Sequence, residues 1–184
     1  KTMSLAQKLY QSGHITYMRT DSVYLAKKAI KEIRDVILEK YGKKYLPEKP
    51  KYYKNKSKNA QEAHEAIRPT DFSVTYTEIS KKLGRDAASL YNLIWKRAVS
   101  SQVTPKKVEN LTIYFEPQKK LEDKYTFSVG AQKVLFDGFR VVYGNQKPDN
   151  AGLQEITGIK KGDVFEKEKF EVEQKFTQPP ARYT

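Results

Sequence analysis

Tyr17 and Arg19 lie in the run Gly-His-Ile-Thr-Tyr-Met-Arg-Thr-Asp-Ser at 13–22, which sets a phenol two residues from a guanidinium. If Ile15 to Asp21 is extended, side chains alternate between two faces, and Ile15, Tyr17, Arg19 and Asp21 share one of them. A phenol ionises at a pKa of about 10, so it needs help to act as a nucleophile near neutral pH. Arg19 keeps its charge, favours the phenolate, and can fork two donors onto the non-bridging oxygens of a phosphate. A pair of this kind can attack a phosphodiester. The plainer alternative is that Tyr17, one of 13 tyrosines, is only a core or surface aromatic. Thr20, Asp21 and Ser22 follow with hydroxyl and carboxyl groups of the kind that open a helix.

A second stretch, Asn-Ala-Gln-Glu-Ala-His-Glu-Ala-Ile-Arg-Pro-Thr at 59–70, carries His64, Glu65 and Arg68. His-Glu begins a zinc-protease signature, but position 68 holds Arg where that signature needs His, and the other histidine is His14. Taken together, Ile-Thr-Tyr-Met-Arg-Thr-Asp-Ser, the 59–70 run and the ending Phe-Thr-Gln-Pro-Pro-Ala-Arg-Tyr-Thr at 176–184 resemble the type IA DNA topoisomerases, in their bacterial form. The resemblance is tight in these three places and loose elsewhere, above all over 43–58 and 118–168. It implies that Tyr17 attacks single-stranded DNA to form a 5′-phosphotyrosyl link, that Arg19 assists, and that the break is resealed after strand passage. It also implies that His64 contacts phosphate or tunes the cluster of Tyr17, Arg19 and Asp21, with Thr20 and Ser22 in support. Histidine suits the tuning role because its charge switches near neutral pH. Arg68 is expected to clamp a phosphate; the bland alternative is a charge at a helix C-terminus.

Positive charge gathers around this motif. The chain of 184 residues has a net charge of +13, and residues 1–60 hold 15 basic against 5 acidic side chains. The remaining 124 hold 20 against 17. Residues 40–58 contain eight Lys and four Tyr with one acid, Glu48. A basic field interleaved with aromatics suits a polyanion whose bases can stack, so Lys54, Lys56 and Lys58 are candidate DNA contacts. The alternative is a solvated lysine-rich loop. Pro47, Pro50 and the lack of a sustained apolar face argue against a membrane-surface element. No apolar run approaches the roughly 20 residues that span a bilayer, and there is no cysteine, which excludes disulfides and thiolate metal sites. A cytoplasmic, nucleoid-associated protein is the expectation.

The positioning elements follow from periodicity and punctuation. Apolar residues at helical spacing predict a helix over 2–11 stopped by Gly13, and a second from Asp21 or Ser22 to about Tyr41 stopped by Gly42. The start of that second helix would lie close behind Tyr17 and offer its positive end to a phosphate. Residues 43–59 read as a loop and 60–67 as a short helix ended by Pro69. A further helix covers 85–102, with Leu90, Leu93, Ile94, Trp95, Ala98 and Val99 on one face. Beyond Pro105 the period changes to two around 111–115, 125–129 and 170–176, with turns at Asp137-Gly138, Tyr143-Gly144 and Lys161-Gly162-Asp163. The expected fold is α+β: a helical tyrosine-bearing domain at 1–104 and an antiparallel β-rich domain at 105–184, which the resemblance implies is only part of a hinge or arch domain.

No Asp-x-Asp cluster accompanies Tyr17. The resemblance implies that Mg²⁺ and the proton for the leaving oxygen come from an acidic TOPRIM domain outside this chain. The chain has no leading Met and reads as a piece of a longer polypeptide, expected to bind single-stranded DNA weakly and not to cleave it. No metal site is expected within it. The expected partners are single-stranded and negatively supercoiled DNA and the remaining domains. A non-catalytic single-strand-binding module is the competing reading. Tyrosine recombinases and rolling-circle nickases lack support, because neither a dispersed Arg/His set before a C-terminal Tyr nor a paired-His motif is present.

Overall fold

Gly13, Gly42 and Gly84 punctuate the helical part of the computed structural model, each with positive φ (74°, 85° and 90°). The structure describes residues 1–53, 64–118, 126–144, 158–166, 169, 171 and 173–179. Helix α1 spans Thr2–Gln11 and buries Ala6 and Leu9. Helix α2 spans Lys27–Tyr41 and buries Ala29, Ile30, Ile33 and Ile37, the stripe expected of its period. It begins at Lys27 rather than at Asp21 or Ser22, so residues 21–26 are irregular.

Helix α3, Tyr76–Leu83, was not among the expected elements. It opens on a reciprocal capping box between Thr75 and Glu78, a signature that is legible as Thr-x-x-Glu. Gly84 closes α3 and opens α4, Arg85–Gln102. Helix α4 is the central post and contacts α1, α2 and α3. Tyr91 is fully buried, and its hydroxyl donates to the carbonyls of Asp71 and Val74. Trp95 is core, as expected, and its indole N–H donates to Phe72 O at 3.0 Å. Leu93 departs from the expected face and is 58% exposed. Gln102 is a buried polar pin whose amide accepts from Lys51 N and donates to Lys51 O, fixing the segment after α2.

Past Pro105, β1 (Lys107–Phe115) and β2 (Phe127–Phe136) pair antiparallel, with Leu111 opposite Ala131 and a register shift at Lys107/Val108. Their apolar residues are largely uncovered by the described residues: Leu111, Tyr114, Phe127, Val129 and Leu135 are exposed. The lower end of the hairpin is different. Phe136 stacks on Tyr45 at 5.1 Å, and Tyr45 Oη donates to Asp137 Oδ1 at 2.9 Å. A 3-10 helix, Gly138–Tyr143, then returns Val142 to the main core. The α+β class is therefore as expected, and one core joins the helices to the foot of the hairpin. Phe170, Val172 and 180–184 lie outside the described residues, and Phe176 is 75% exposed.

Candidate active site

The pairing of two loops builds the surroundings of Tyr17. Residues 14–16 run antiparallel to 68–70, with an isolated bridge between Ile15 and Pro69. Thr16 N donates to Arg68 O and Thr70 N to His14 O, at 2.9 and 3.1 Å. The Thr16 hydroxyl accepts from Arg68 N and donates to Ala66 O at 2.8 Å. The expected helix over 60–67 is thus not present at 64–67. The Ala- and Glu-rich composition favours helix, but these pairings and the bond from Ala66 N to Tyr24 O hold the chain in an irregular, partly extended course. Residues 60–63 lie outside the described residues.

Two apolar anchors hold the tyrosine loop down. Ile15 is 1% and Met18 8% exposed, while Tyr17, Arg19 and Asp21 are exposed. Strict alternation from 15 to 21 is therefore broken: Ile15 faces the core while Tyr17 does not. The Tyr17 ring sits between two others. Tyr10, from the last turn of α1, meets it edge-on at 5.3 Å, and His64 lies tilted against it at 5.5 Å. Imidazole Nδ1 of His64 is buried and has no hydrogen-bond partner among the described residues. Arg19 is bound to nothing among the described residues, so its fork is open to a ligand.

Thr20 and Ser22 serve the backbone. Thr20 Oγ1 accepts from Ser22 N at 3.0 Å, and Ser22 Oγ accepts from Tyr24 N at 3.2 Å. Neither Asp21 nor Ser22 caps α2. The acceptor at that helix start comes from a distance, as Ala26 N donates to Glu65 Oε1 at 2.7 Å. A carboxylate thus meets Ala26 N at the positive end of α2, the place where the sequence suggested a DNA phosphate. The same carboxylate takes Arg68 in a fork, Nε to Oε1 at 2.8 Å and Nη2 to Oε2 at 2.9 Å. Arg68 Nη1 donates to Pro69 O at 2.7 Å. The bidentate face that a phosphate clamp needs is thus engaged by Glu65, and Arg68 here positions the loop bearing His64. Lys54, Lys56 and Lys58 lie outside the described residues.

Glu65 draws attention in the sequence only as part of a metal signature, and its role as acceptor for Ala26 N and Arg68 is not visible there. Its place three residues before Arg68 was the available hint. Tyr10 escaped notice, since nothing in its spacing marks it as a neighbour of Tyr17. Glu65→Ala is expected to cost about 2 kcal/mol, because it strands the partly buried Arg68 guanidinium and one helix N–H. For a chain of this size that is a fall in melting temperature of roughly 4–8 °C by calorimetry. An unchanged melting temperature would remove Glu65 from its place as the organiser.

The site holds an exposed phenol packed on an imidazole ring, with an exposed guanidinium two residues further along the chain. No three His, Asp or Glu side chains converge among the described residues. The donor set present therefore does not fit Mg²⁺, which prefers several oxygen ligands. No helix among the described residues is long and apolar enough to cross a membrane.

A family model described as DNA topoisomerase matches residues 1–184. The chain is 44% identical over 190 residues to DNA topoisomerase 1 of Zymomonas mobilis, covering all of this chain and 15% of that protein. It is 41% identical over 192 residues to DNA topoisomerase 1 of Helicobacter pylori, again along its whole length and over 25% of the relative. Among solved structures, full-length topoisomerase I from Thermotoga maritima superposes with a TM-score of 0.62 at 35% identity, covering 80% of this chain and 24% of that one. The chain thus spans about a quarter or less of the length of these relatives.

Proposed function

This chain belongs to the DNA topoisomerase family, and from that membership we propose that it is the tyrosine-bearing part of a type IA enzyme that cuts and reseals one DNA strand. Tyr17 Oη attacks a backbone phosphorus. A phosphorus–oxygen bond to Tyr17 forms, the bond to the 3′-oxygen breaks, and the strand end is kept as a 5′-phosphotyrosyl ester. The phenol loses its proton and the departing 3′-oxygen must gain one. Resealing is the reverse, so no free energy is lost to hydrolysis and ATP is not needed. Relaxation of negatively supercoiled DNA in the cytoplasm is the corresponding whole-protein activity.

The observation that carries this reading is the packing of His64 on an exposed Tyr17, with the open Arg19 two residues on. Arg19 would neutralise the phosphate as charge builds on its oxygens. His64 would bear on the phosphate through its edge, and Arg68 and Glu65 would hold the loop that presents it. The described residues offer no acid aligned to protonate the leaving oxygen and no Mg²⁺ site, so no step is routed through a metal. Carboxylates outside this chain, of the TOPRIM kind, are the source we assign to both.

The test is plasmid relaxation. The chain alone should leave supercoiled DNA unchanged, and adding a separately made acidic domain with Mg²⁺ should restore relaxation. Relaxation by the chain alone would contradict the division of labour. Binding has its own test. If backbone phosphates carry it, log affinity for oligothymidylate should fall by about 0.7 per log unit of salt for each phosphate neutralised. A flat response would refute the basic field as a DNA contact.

A further inference from the structure

A second cavity with chemistry of its own lies beside the tyrosine loop, between α4, the segment after α2 and the 3-10 helix. It has a volume of about 450 Å³, within the range of sites that enclose a small ligand. Three rings, Tyr53, Phe139 and Tyr143, contribute to its wall, and Lys51 and Arg97 bring cations to it. No carboxylate is among its described lining residues.

Most polar groups of its wall are bonded within the fold: Tyr53 Oη donates to Ser101 O at 2.7 Å and Ser101 Oγ to Ala98 O at 2.6 Å. Ser100 Oγ is buried and makes no hydrogen bond among the described residues. Its oxygen is shut off from solvent, so Ser100 contributes to the wall through its other atoms. Among the described residues Lys51 Nζ donates to one backbone carbonyl, that of Val103, and burial holds its ammonium below the usual lysine range. Arg97 enters no ion pair among the described residues, although its charge bears on the Tyr53 phenol. Two cations without an acid call for an anion, and exposed aromatic faces call for a flat ring. An anion and a flat ring joined in one small molecule make a nucleotide.

We propose that this cavity binds one nucleotide, its base against Phe139 and Tyr143 and its phosphate on Arg97 and Lys51. The inference rests on the reading of the chain as a DNA-acting protein only in naming a strand as the source of that nucleotide. Ser22, at the end of the tyrosine loop, also lines the cavity. It stands five positions along the chain from Tyr17, a reach of at most about 18 Å. A strand held in the cavity therefore lies within a few nucleotides of the tyrosine. The cavity would take a base outside the stack and set which nucleotide meets Tyr17.

The experiment is photocross-linking of the chain to oligothymidylate carrying a single 5-iodouracil, with cross-links mapped by peptide mass spectrometry and thymidine monophosphate as competitor. Cross-links at Tyr53, Phe139 or Tyr143 that are competed by the monophosphate are expected. Phe139 is 40% exposed, so Phe139→Ala should leave the melting temperature unchanged while weakening oligonucleotide binding about fivefold or more. Arg97→Gln should lower the salt slope by about 0.7. Saturable binding of the monophosphate without a strand cross-link supports the nucleotide site and assigns it to free nucleotide. Oligonucleotide bound with cross-links only outside the cavity, and with full affinity in Phe139→Ala, would overturn the cavity while leaving the tyrosine reading intact. Absence of any oligonucleotide or monophosphate binding would overturn both.

Discussion

Tyr17→Phe is expected to abolish covalent capture of DNA, by at least about 10⁴-fold in the complemented mixture, while single-strand affinity stays within about twofold. The asymmetry follows from what the substitution removes. The phenolic oxygen is the one atom that can form the bond to phosphorus, and no hydrogen bond holds it among the described residues. The ring keeps its edge contact with Tyr10 and its tilted contact with His64, so the pocket shape survives. Because the position is 36% exposed and the hydroxyl has no partner to strand, the melting temperature should move by no more than about 0.5 kcal/mol implies. Retained covalent capture would move the nucleophile elsewhere. Lost binding would instead support a role of Tyr17 in holding DNA and favour the non-catalytic binding module.

Gly138→Ala is expected to be the most damaging methyl addition among the described glycines. Gly138 has φ +54°, and a Cβ there would stand 2.4 Å from Lys106 N and Pro105 C. Both neighbours are backbone, so neither can swing aside. They belong to the crossing from α4 into β1, and the adjoining Asp137 anchors Tyr45. The left-handed backbone alone costs about 1–2 kcal/mol for alanine. The overlap should bring the total to about 3 kcal/mol or more, a fall in melting temperature of roughly 6–12 °C. Gly144→Ala is the control, since its φ is +88° but nothing lies within 4 Å of the added methyl. Gly144 (φ +88°, ψ 161°) carries a backbone penalty without overlap, and Gly138 a backbone penalty with overlap, so the steeper fall is expected at Gly138. Equal melts would mean that the joint between helices and hairpin is looser than the close packing at Gly138 requires.

Helices α1 and α4 were legible to the residue, because an apolar stripe of helical period runs between unambiguous stops. The switch to period two after Pro105 marked β1 and the start of β2, whereas the alternation around 170–176 forms no strand at its described residues, 171 and 173–176. The start of α2 was not legible. Asp21-Ser22 has the composition of an N-cap, yet Ser22 turns onto its own backbone and Glu65 supplies the acceptor from across the fold. No local pattern carries that information. Residues 64–67 failed likewise, since pairing with 14–16 outweighed a weak helical preference. Helix α3 is the opposite case: Thr75, Glu78 and Gly84 announced it and periodicity alone passed over it. For the site, Tyr17 and Arg19 stood out by type and spacing, whereas His64 joined them only through resemblance to a family. Tyr10 and Glu65 needed the coordinates, because contacts made by folding leave no period in the sequence.

Label transfer from single-stranded DNA, in the mixture with the acidic domain and Mg²⁺, tests the central claim most directly. Label placed on the 3′ side of the cut should appear on the peptide containing Tyr17, should remain on it after nuclease digestion as a 5′-phosphotyrosine adduct, and should vanish with Tyr17→Phe. Label arriving from the 5′ side of the cut, on a different residue, or undiminished in Tyr17→Phe would contradict it.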